Sequence, residues 1–402
     1  LPPYYVPKNS NDSTLVFESR FESGNLQRAV RTGDFCYDLF LCTDYNTNSH
    51  TQWFYFQVGN TRAGVSYRFN IVNLVKPRSL YSGGLQPLMY SSMKEQRQHV
   101  GWHRCGKNIS YRMNPTTIER RDVRGGRRRG GATHWRTSCA FSLTCCSQFP
   151  FDDDVCYIAH CFPYTYTGRS RRVKEGDERC SGRNVAYMLS GNKCHVLTIT
   201  NMYEYGEQEK QEGGREGGID LHASQARVHP GETNSSWMMD GILRFLTGDS
   251  ELADRLRNRF VFKIVPMLNP DGVVLGNYRT GLAGHDLNRR YVEASRLIHP
   301  TIHHLQRMVK RFKREREIAL YLDLHGHSCK NNVFVYGCEA KGWRDWRIGQ
   351  VNQSITVMFV LVDCKFKIRK NKNATGRAFM WRDFGIANTF TLEVSFAGPR
   401  RG

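Results

Sequence analysis

Nowhere in this 402-residue chain do 18 apolar residues follow one another, which excludes a continuous apolar helix long enough to span a bilayer. The first dozen residues, LPPYYVPKNSND, hold no apolar segment of the signal-peptide kind. The chain opens on leucine rather than methionine, so a fragment or excised region is expected. CxxC spacing is also missing. The 13 cysteines are odd in number, and Cys145 and Cys146 are adjacent, which suits neither bridging nor chelation. Reduced thiols in an intracellular protein are the expectation. Acidic side chains are scarce, 37 against 58 lysines and arginines, for a formal net charge of +21. That balance points to acidic partners: nucleic acid, anionic membrane or acidic polypeptide. Much of the excess sits in residues 120–136 and 169–183, which read as insertions, so local charge weighs more than the total. What is present suffices for packed cores. Hydrophobic residues are 40% and aromatics 12%, against wholesale disorder, and the length suggests two or three domains.

From about residue 14 to 167 the pattern is β-rich. QWFYFQV (52–58) and SYRFNIV (66–72) are aromatic and β-branched runs split by the turn-like GNT at 59–61. Residues 35–41 and 138–143 add weaker strands, and short strands with polar turns suggest a sandwich. RGGRRRGG (124–131) is low-complexity and predicts a disordered loop near 120–136; the polar stretch 203–224 reads the same way. From about residue 185 strands and helices alternate. VLTIT (196–200) is a short strand. Thr233 or Asn234 can cap a helix through Trp237, Ile242, Leu243 and Leu246 that stops at Gly248. FVFKIVPM (260–267) suits a strand buried on both faces. Pro300 opens a helix with Ile302, Leu305, Met308 and Phe312 on one face and a charged outer face at 310–317. Residues 318–324, 332–336 and 389–394 are further strands. This α/β order implies a mostly parallel or mixed sheet with helices on both sides.

Three segments at predicted strand ends carry ligand or acid–base side chains. In RVHPGE (227–232), His229 and Glu232 stand three apart across a turn and can face one ion; a catalytic zinc takes three such ligands. Alone this is weak, since a turn histidine and a helix-capping glutamate would explain it. In LDLHGHS (322–328), His325 ends a strand and can supply a third ligand, or His325 and His327 are two partly buried polar residues. In FTLEV (390–394), Glu393 sits in an apolar strand, where an unpaired charge is costly. Beside a metal it can act as general base; otherwise it reaches solvent or an arginine. GNYR (276–279) follows the NPDG turn, and DLNR (286–289) comes shortly after. Arginine forks suit carboxylates, and Asn288 adds a donor.

Taken in order, HPGE, NPDG, NYR, DLNR, LHGHS and TLE resemble the M14 metallocarboxypeptidases, specifically the cytosolic carboxypeptidase subfamily. LVFESRFESGNL (15–26), the 52–56 run and FPFDDDVCYIAHCFPYTYT (149–167) look like the β-domain that precedes the catalytic domain there. NKNATGR (371–377) is similar to the second and third subfamily members. The resemblance covers most of the chain, excluding about 112–137 and 168–225. It implies an N-terminal all-β sandwich (1–167) followed by an α/β metallocarboxypeptidase domain (168–402), a mixed sheet with helices on both faces. The closing helix of that domain would be missing, because the chain ends nine residues after Glu393. It implies one zinc per chain on His229, Glu232 and His325, with Glu393 as general base. Arg279 would stabilise the oxyanion. Asn288 and Arg289 would grip the substrate's terminal carboxylate, and Arg377 would favour a departing glutamate. Substrates would be polyglutamylated tubulin or other acidic protein tails, with no membrane partner, in the cytoplasm or at microtubules, centrioles or cilia.

The chain departs from that pattern in places. GGIDLHASQ (217–225), before His229, is polar and is expected to make a poor central strand holding two ligands loosely. Cys329 stands where the family usually has a basic residue. Two alternatives follow. One is an inactive binder of acidic tails, its site broken by that stretch. The other is an RNA-binding protein, suggested by the charge and the Arg/Gly run but disfavoured because one such run without aromatics leaves six ordered motifs unexplained.

Overall fold

A computed structural model describes residues 5–121, 135–170, 180–201, 220–338 and 359–398. The chain divides into two compact units, residues 1–163 with 273–280, and residues 164–272 with 281–402. The first unit thus takes back residues 273–280, a return that the motifs alone do not suggest.

Ten strands among the described residues build the first unit: β1 (Val16–Glu18), β2 (Leu26–Gly33), β3 (Cys36–Leu41), β4 (Tyr55–Gly59), β5 (Ser66–Leu74), β6 (Leu88–Ser91), β7 (His103–Arg104), β8 (Lys107–Arg121), β9 (Trp135–Gln148) and β10 (Cys156–Ala159). They form two five-stranded sheets, ordered β1-β4-β10-β6-β7 and β2-β3-β5-β9-β8. Alternation places Phe56 and Val58 of β4, and Tyr67, Phe69 and Ile71 of β5, in the core. Phe17 of β1 meets Tyr37 and Phe69 of the other sheet at centroid distances of 5.4 and 6.2 Å, so aromatic rings join the two layers. At the expected 120–136 loop, Arg120 pairs with Arg136 and Arg121 with Trp135 as the last rungs of β8 and β9. Residues 122–134 lie outside the described residues.

The second unit is a seven-stranded mixed sheet of β11 (Cys180–Tyr187), β12 (Lys193–Ile199), β13 (Asp220–Ala226), β14 (Phe260–Val265), β15 (Ile318–His327), β16 (Val333–Tyr336) and β17 (Thr389–Ser395). Their order is β11-β12-β14-β13-β15-β17-β16. β14, β13, β15 and β17 run parallel, and β12 and β16 flank them antiparallel. One core packs Ile302, Leu305 and Val309 of helix Pro300–Glu315 against Leu221, Ala223 and Tyr321. The opposite core packs Met239, Leu243 and Leu246 of helix Thr233–Thr247 against Ala226, Phe262 and Leu324. Helices therefore cover both faces.

β13 corrects the expectation of a poor strand. It lies centrally, in register with β14 and β15. Its polarity is compatible with that place because alternate positions carry the burial: Leu221, Ala223 and Gln225 are buried, and the Gln225 amide is satisfied by the Tyr291 hydroxyl at 2.9 Å. The loop expected at 203–224 is thus a strand from Asp220; residues 202–219 lie outside the described residues.

Within the first unit, residues 278–280 are held by one buried side chain. Asp44 accepts the backbone N–H groups of Tyr278, Arg279 and Thr280 at 2.6, 2.7 and 2.7 Å, and the Thr280 hydroxyl at 3.0 Å. Asp44→Ala strips four donors, three backbone amides and one hydroxyl, of their acceptor at once. It is expected to cost about 2–4 kcal/mol in urea unfolding, with Asp44→Asn losing less. An unchanged midpoint in both variants would remove the carboxylate from this role.

Candidate metal centre

The parallel strands β13 and β15 end at one edge of the sheet, where ligand sites form in α/β folds. Beyond Ala226 the chain turns sharply at Arg227, whose φ of 59° lies in the left-handed region. Burial and hydrogen bonds hold that turn. The Arg227 guanidinium donates to the Pro230 carbonyl at 2.6 Å, the Tyr164 carbonyl at 3.0 Å and the Ser236 hydroxyl at 3.0 Å. The turn aims His229 and Glu232 the same way. Glu232 occupies the N-cap position of the following helix without capping it by its side chain; Thr233 opens that helix. The expected cap at Thr233 or Asn234 gives way because the helix starts where the ligand turn ends. Asn234 instead donates to the Val394 carbonyl at 2.6 Å, tying the helix start to β17.

His229, Glu232 and His325 come together as expected. One ligand atom from each lies within 4.8 Å of the others, and all three residues are buried. Glu232 bridges the imidazoles: Oε1 is 2.9 Å from His229 Nδ1, and Oε2 is 2.9 Å from His325 Nδ1 and accepts the Gly326 N–H at 3.0 Å. Despite burial, the two imidazoles hold the Glu232 carboxyl well below its usual range. Burial pulls His325 down, but Asp323 and Glu232 outweigh it and hold the ring well above its ordinary value. Two imidazoles and a carboxylate suit zinc rather than calcium or magnesium, and three protein ligands leave an open position. The donor set fits.

Each imidazole turns its far nitrogen to a carboxylate. His229 Nε2 lies 3.1 Å from Asp286 Oδ1, and His325 Nε2 lies 2.9 Å from Asp323 Oδ2. This fixes ring orientation and leaves Nδ1 for the ion. These carboxylates went unassigned in the sequence, although both sit inside quoted motifs, DLNR and LDLH. Asp286 also caps the short turn Leu287–Arg289 by accepting the Asn288 N–H at 3.0 Å.

Glu393 lies on β17 directly beside His325 in the β15–β17 register. Burial pushes its carboxyl up to about 7, helped by Glu232 and opposed by His325. Asn288 is buried near the cluster: its Nδ2 is 3.2 Å from His325 Nε2, and its Oδ1 accepts the Gly376 N–H at 2.9 Å. Arg289 follows it and donates to the Asn288 carbonyl at 2.7 Å. Arg377, buried at the start of helix Gly376–Arg382, donates to the Gly337 carbonyl and lies 3.4 Å from Cys338 Sγ. Arg279 belongs to the first unit, where its backbone N–H is bound by Asp44.

Known families match both parts of the chain: the cytosolic carboxypeptidase N-terminal domain over residues 17–121, and the zinc carboxypeptidase domain, peptidase M14, over residues 177–355. Cytosolic carboxypeptidase 2 of Xenopus tropicalis is 45% identical over 97% of this chain and 39% of its own length. The Mus musculus protein of that name is 44% identical over 98% and 44%. Cytosolic carboxypeptidase 3 of Bos taurus is 42% identical over 100% and 39%. The chain therefore spans less than half the length of these relatives. Among solved structures, a metallo-carboxypeptidase from Burkholderia cenocepacia is similar with a TM-score of 0.74 over 96% of this chain and 90% of its own, at 19% identity. One from Pseudomonas aeruginosa gives 0.68 over 94% and 90%, at 21%. At those identities the likeness concerns the fold alone.

Two outcomes are expected of the cluster. Asp286→Asn and Asp323→Asn should each weaken zinc binding by roughly 10- to 100-fold in a chelator competition. A ligand nitrogen must be free of its proton to take an ion, so apparent zinc affinity should rise with pH and binding should release protons. Calorimetric titration in buffers of different ionisation enthalpy reads those protons directly.

Proposed function

The chain belongs to the cytosolic carboxypeptidase family, and on that premise we propose that it is a zinc metallocarboxypeptidase removing C-terminal or side-chain-linked glutamates from polyglutamylated proteins such as tubulin. The observation that carries this reading is the buried His229–Glu232–His325 cluster with Glu393 on the adjoining strand.

Bound zinc would supply a Lewis acid that polarises the scissile carbonyl and acidifies water. The rest falls to this chain's own groups. Glu393 takes the proton of the attacking water and returns it to the departing amine. A carboxyl pushed up to about 7 suits a group that must both accept and give. Asp286 and Asp323 keep the imidazoles from turning away. Asn288 and Arg289 take the α-carboxylate of the last residue, which would make the enzyme an exopeptidase. Arg377 serves the departing side chain, and its helix begins at the Gly376 amide that Asn288 holds, so the two recognition elements are mechanically linked. Arg279 takes the oxyanion role on the strength of the NYR motif alone. Acidic tails are the partners that the +21 charge accommodates, in the cytoplasm or at microtubules, centrioles or cilia; no membrane partner is expected, and nucleic acid is disfavoured by the six ordered motifs. The reading as an inactive binder loses its ground, because the strand before His229 is formed and paired on both sides.

Release of free glutamate from a polyglutamylated peptide tests this. Glu393→Gln should retain zinc and lose about 10²- to 10⁴-fold in rate, and chelation should abolish release until zinc is restored. Undiminished release by the variant would overturn the assignment of Glu393; no release by the zinc-loaded native chain would overturn the substrate.

A further inference from the structure

Helix Pro300–Glu315 buries Ile302, Leu305 and Val309 and turns a row of cations outward. Arg307, Lys310, Arg311 and Arg314 are all exposed and recur every three to four residues, so they share one stripe about 10 Å long. They border a recess of about 760 Å³ with His304, Met308 and Phe312. Among the described residues, Arg311 alone of these four has an acidic partner, Glu315 at 3.1 Å. Among the described residues, Arg307, Lys310 and Arg314 have no hydrogen bond or ion pair. Like charges at this spacing repel and weaken a helix. Burial does not require them, since the apolar face is complete without them.

We propose that this stripe is a secondary docking site for an acidic polypeptide, engaging consecutive glutamate side chains at a distance from the metal centre. The proposal rests on the deglutamylase reading for the nature of its occupant: the substrate class is itself a run of carboxylates, complementary to an uncompensated run of cations. Placement sets its reach. The helix ends at Glu315 and β15 begins at Ile318, so the C-terminal part of the stripe lies at the opposite end of β15 from His325. Seven residues of strand separate the two ends, roughly 23 Å at 3.3 Å per residue. A single extended chain needs about seven residues to reach that far part of the stripe, and fewer to reach Arg307, about 12 Å back along the helix. The stripe as a whole therefore favours long glutamate chains, or a neighbouring acidic tail of the same substrate.

The test uses a triple charge reversal, Arg307→Glu with Lys310→Glu and Arg314→Glu, on exposed positions outside the catalytic machinery. The probe for binding is a fluorescent glutamate 20-mer, on the zinc-loaded chain carrying Glu393→Gln so that the probe survives. Anisotropy at low salt should show at least about tenfold weaker binding in the reversed variant, with the difference shrinking as salt is added. In the otherwise native chain, the variant should raise KM for a long glutamate chain and leave kcat/KM for a tripeptide unchanged. Equal binding and equal KM would overturn the proposal, leaving a solvated helix face. Tighter binding of a thymidine 20-mer or of phosphatidylserine vesicles than of the glutamate probe, lost on reversal, would overturn it in favour of nucleic acid or membrane. Tripeptide hydrolysis by the native chain reports separately on the deglutamylase reading: its absence would sink that reading, whatever the binding arm shows.

Discussion

One carboxylate organises the second unit. Glu232 places one oxygen on His229 and the other on His325 and the Gly326 amide. An ionised group inside a protein is tolerated only when its partners are complete. Completeness here needs three elements at once: the turn after β13, the start of helix Thr233–Thr247, and the end of β15. The parallel register that sets Ala226 beside Leu324 supplies the geometry. A one-residue slip of either strand would send its side chains to the other face and strand the charge. Fold and site thus depend on the same register.

Around that carboxylate the polar contacts continue outward. Asp323 and Asp286 restrain the imidazoles, and Asp286 also starts the turn bearing Asn288 and Arg289. Asn288 reaches from His325 to the Gly376 amide, where the helix carrying Arg377 begins. The His229–Glu232–His325 cluster, the turn bearing Asn288 and Arg289, and the start of the helix carrying Arg377 are therefore held by one connected set of bonds.

Much of this was legible in the sequence, for reasons that differ by residue. His229, Glu232 and His325 could be read because ligand chemistry restricts residue type and spacing, and six motifs in order multiply weak signals. Glu393 could be read because a carboxylate in an apolar strand needs a reason to be there. β13 could not: its residues are individually poor strand formers, and it is made a strand by pairing with β14 and β15 and by Tyr291, which lies between them in sequence and satisfies Gln225. Asp286 and Asp323 were visible as letters, but their work depends on which nitrogen of each imidazole faces them. Thr233 was misread as a cap because propensity places small hydroxyl residues there, whereas the ligand turn decided where the helix began.

Residues 273–280 belong to the first unit although the rest of their neighbourhood in sequence belongs to the second. Asp44 and the Ser23 hydroxyl, which donates to the Val273 carbonyl, are synthesised before their partners, which follow some 230–250 residues later. The sandwich can collapse on its own aromatics during synthesis, but it closes only once most of the second unit's polypeptide has emerged. The two units are thus stitched by passage of the chain rather than strung in series. A cut at their first boundary would yield an N-terminal piece with a buried carboxylate and no donors to meet it, and a C-terminal piece carrying an orphan loop.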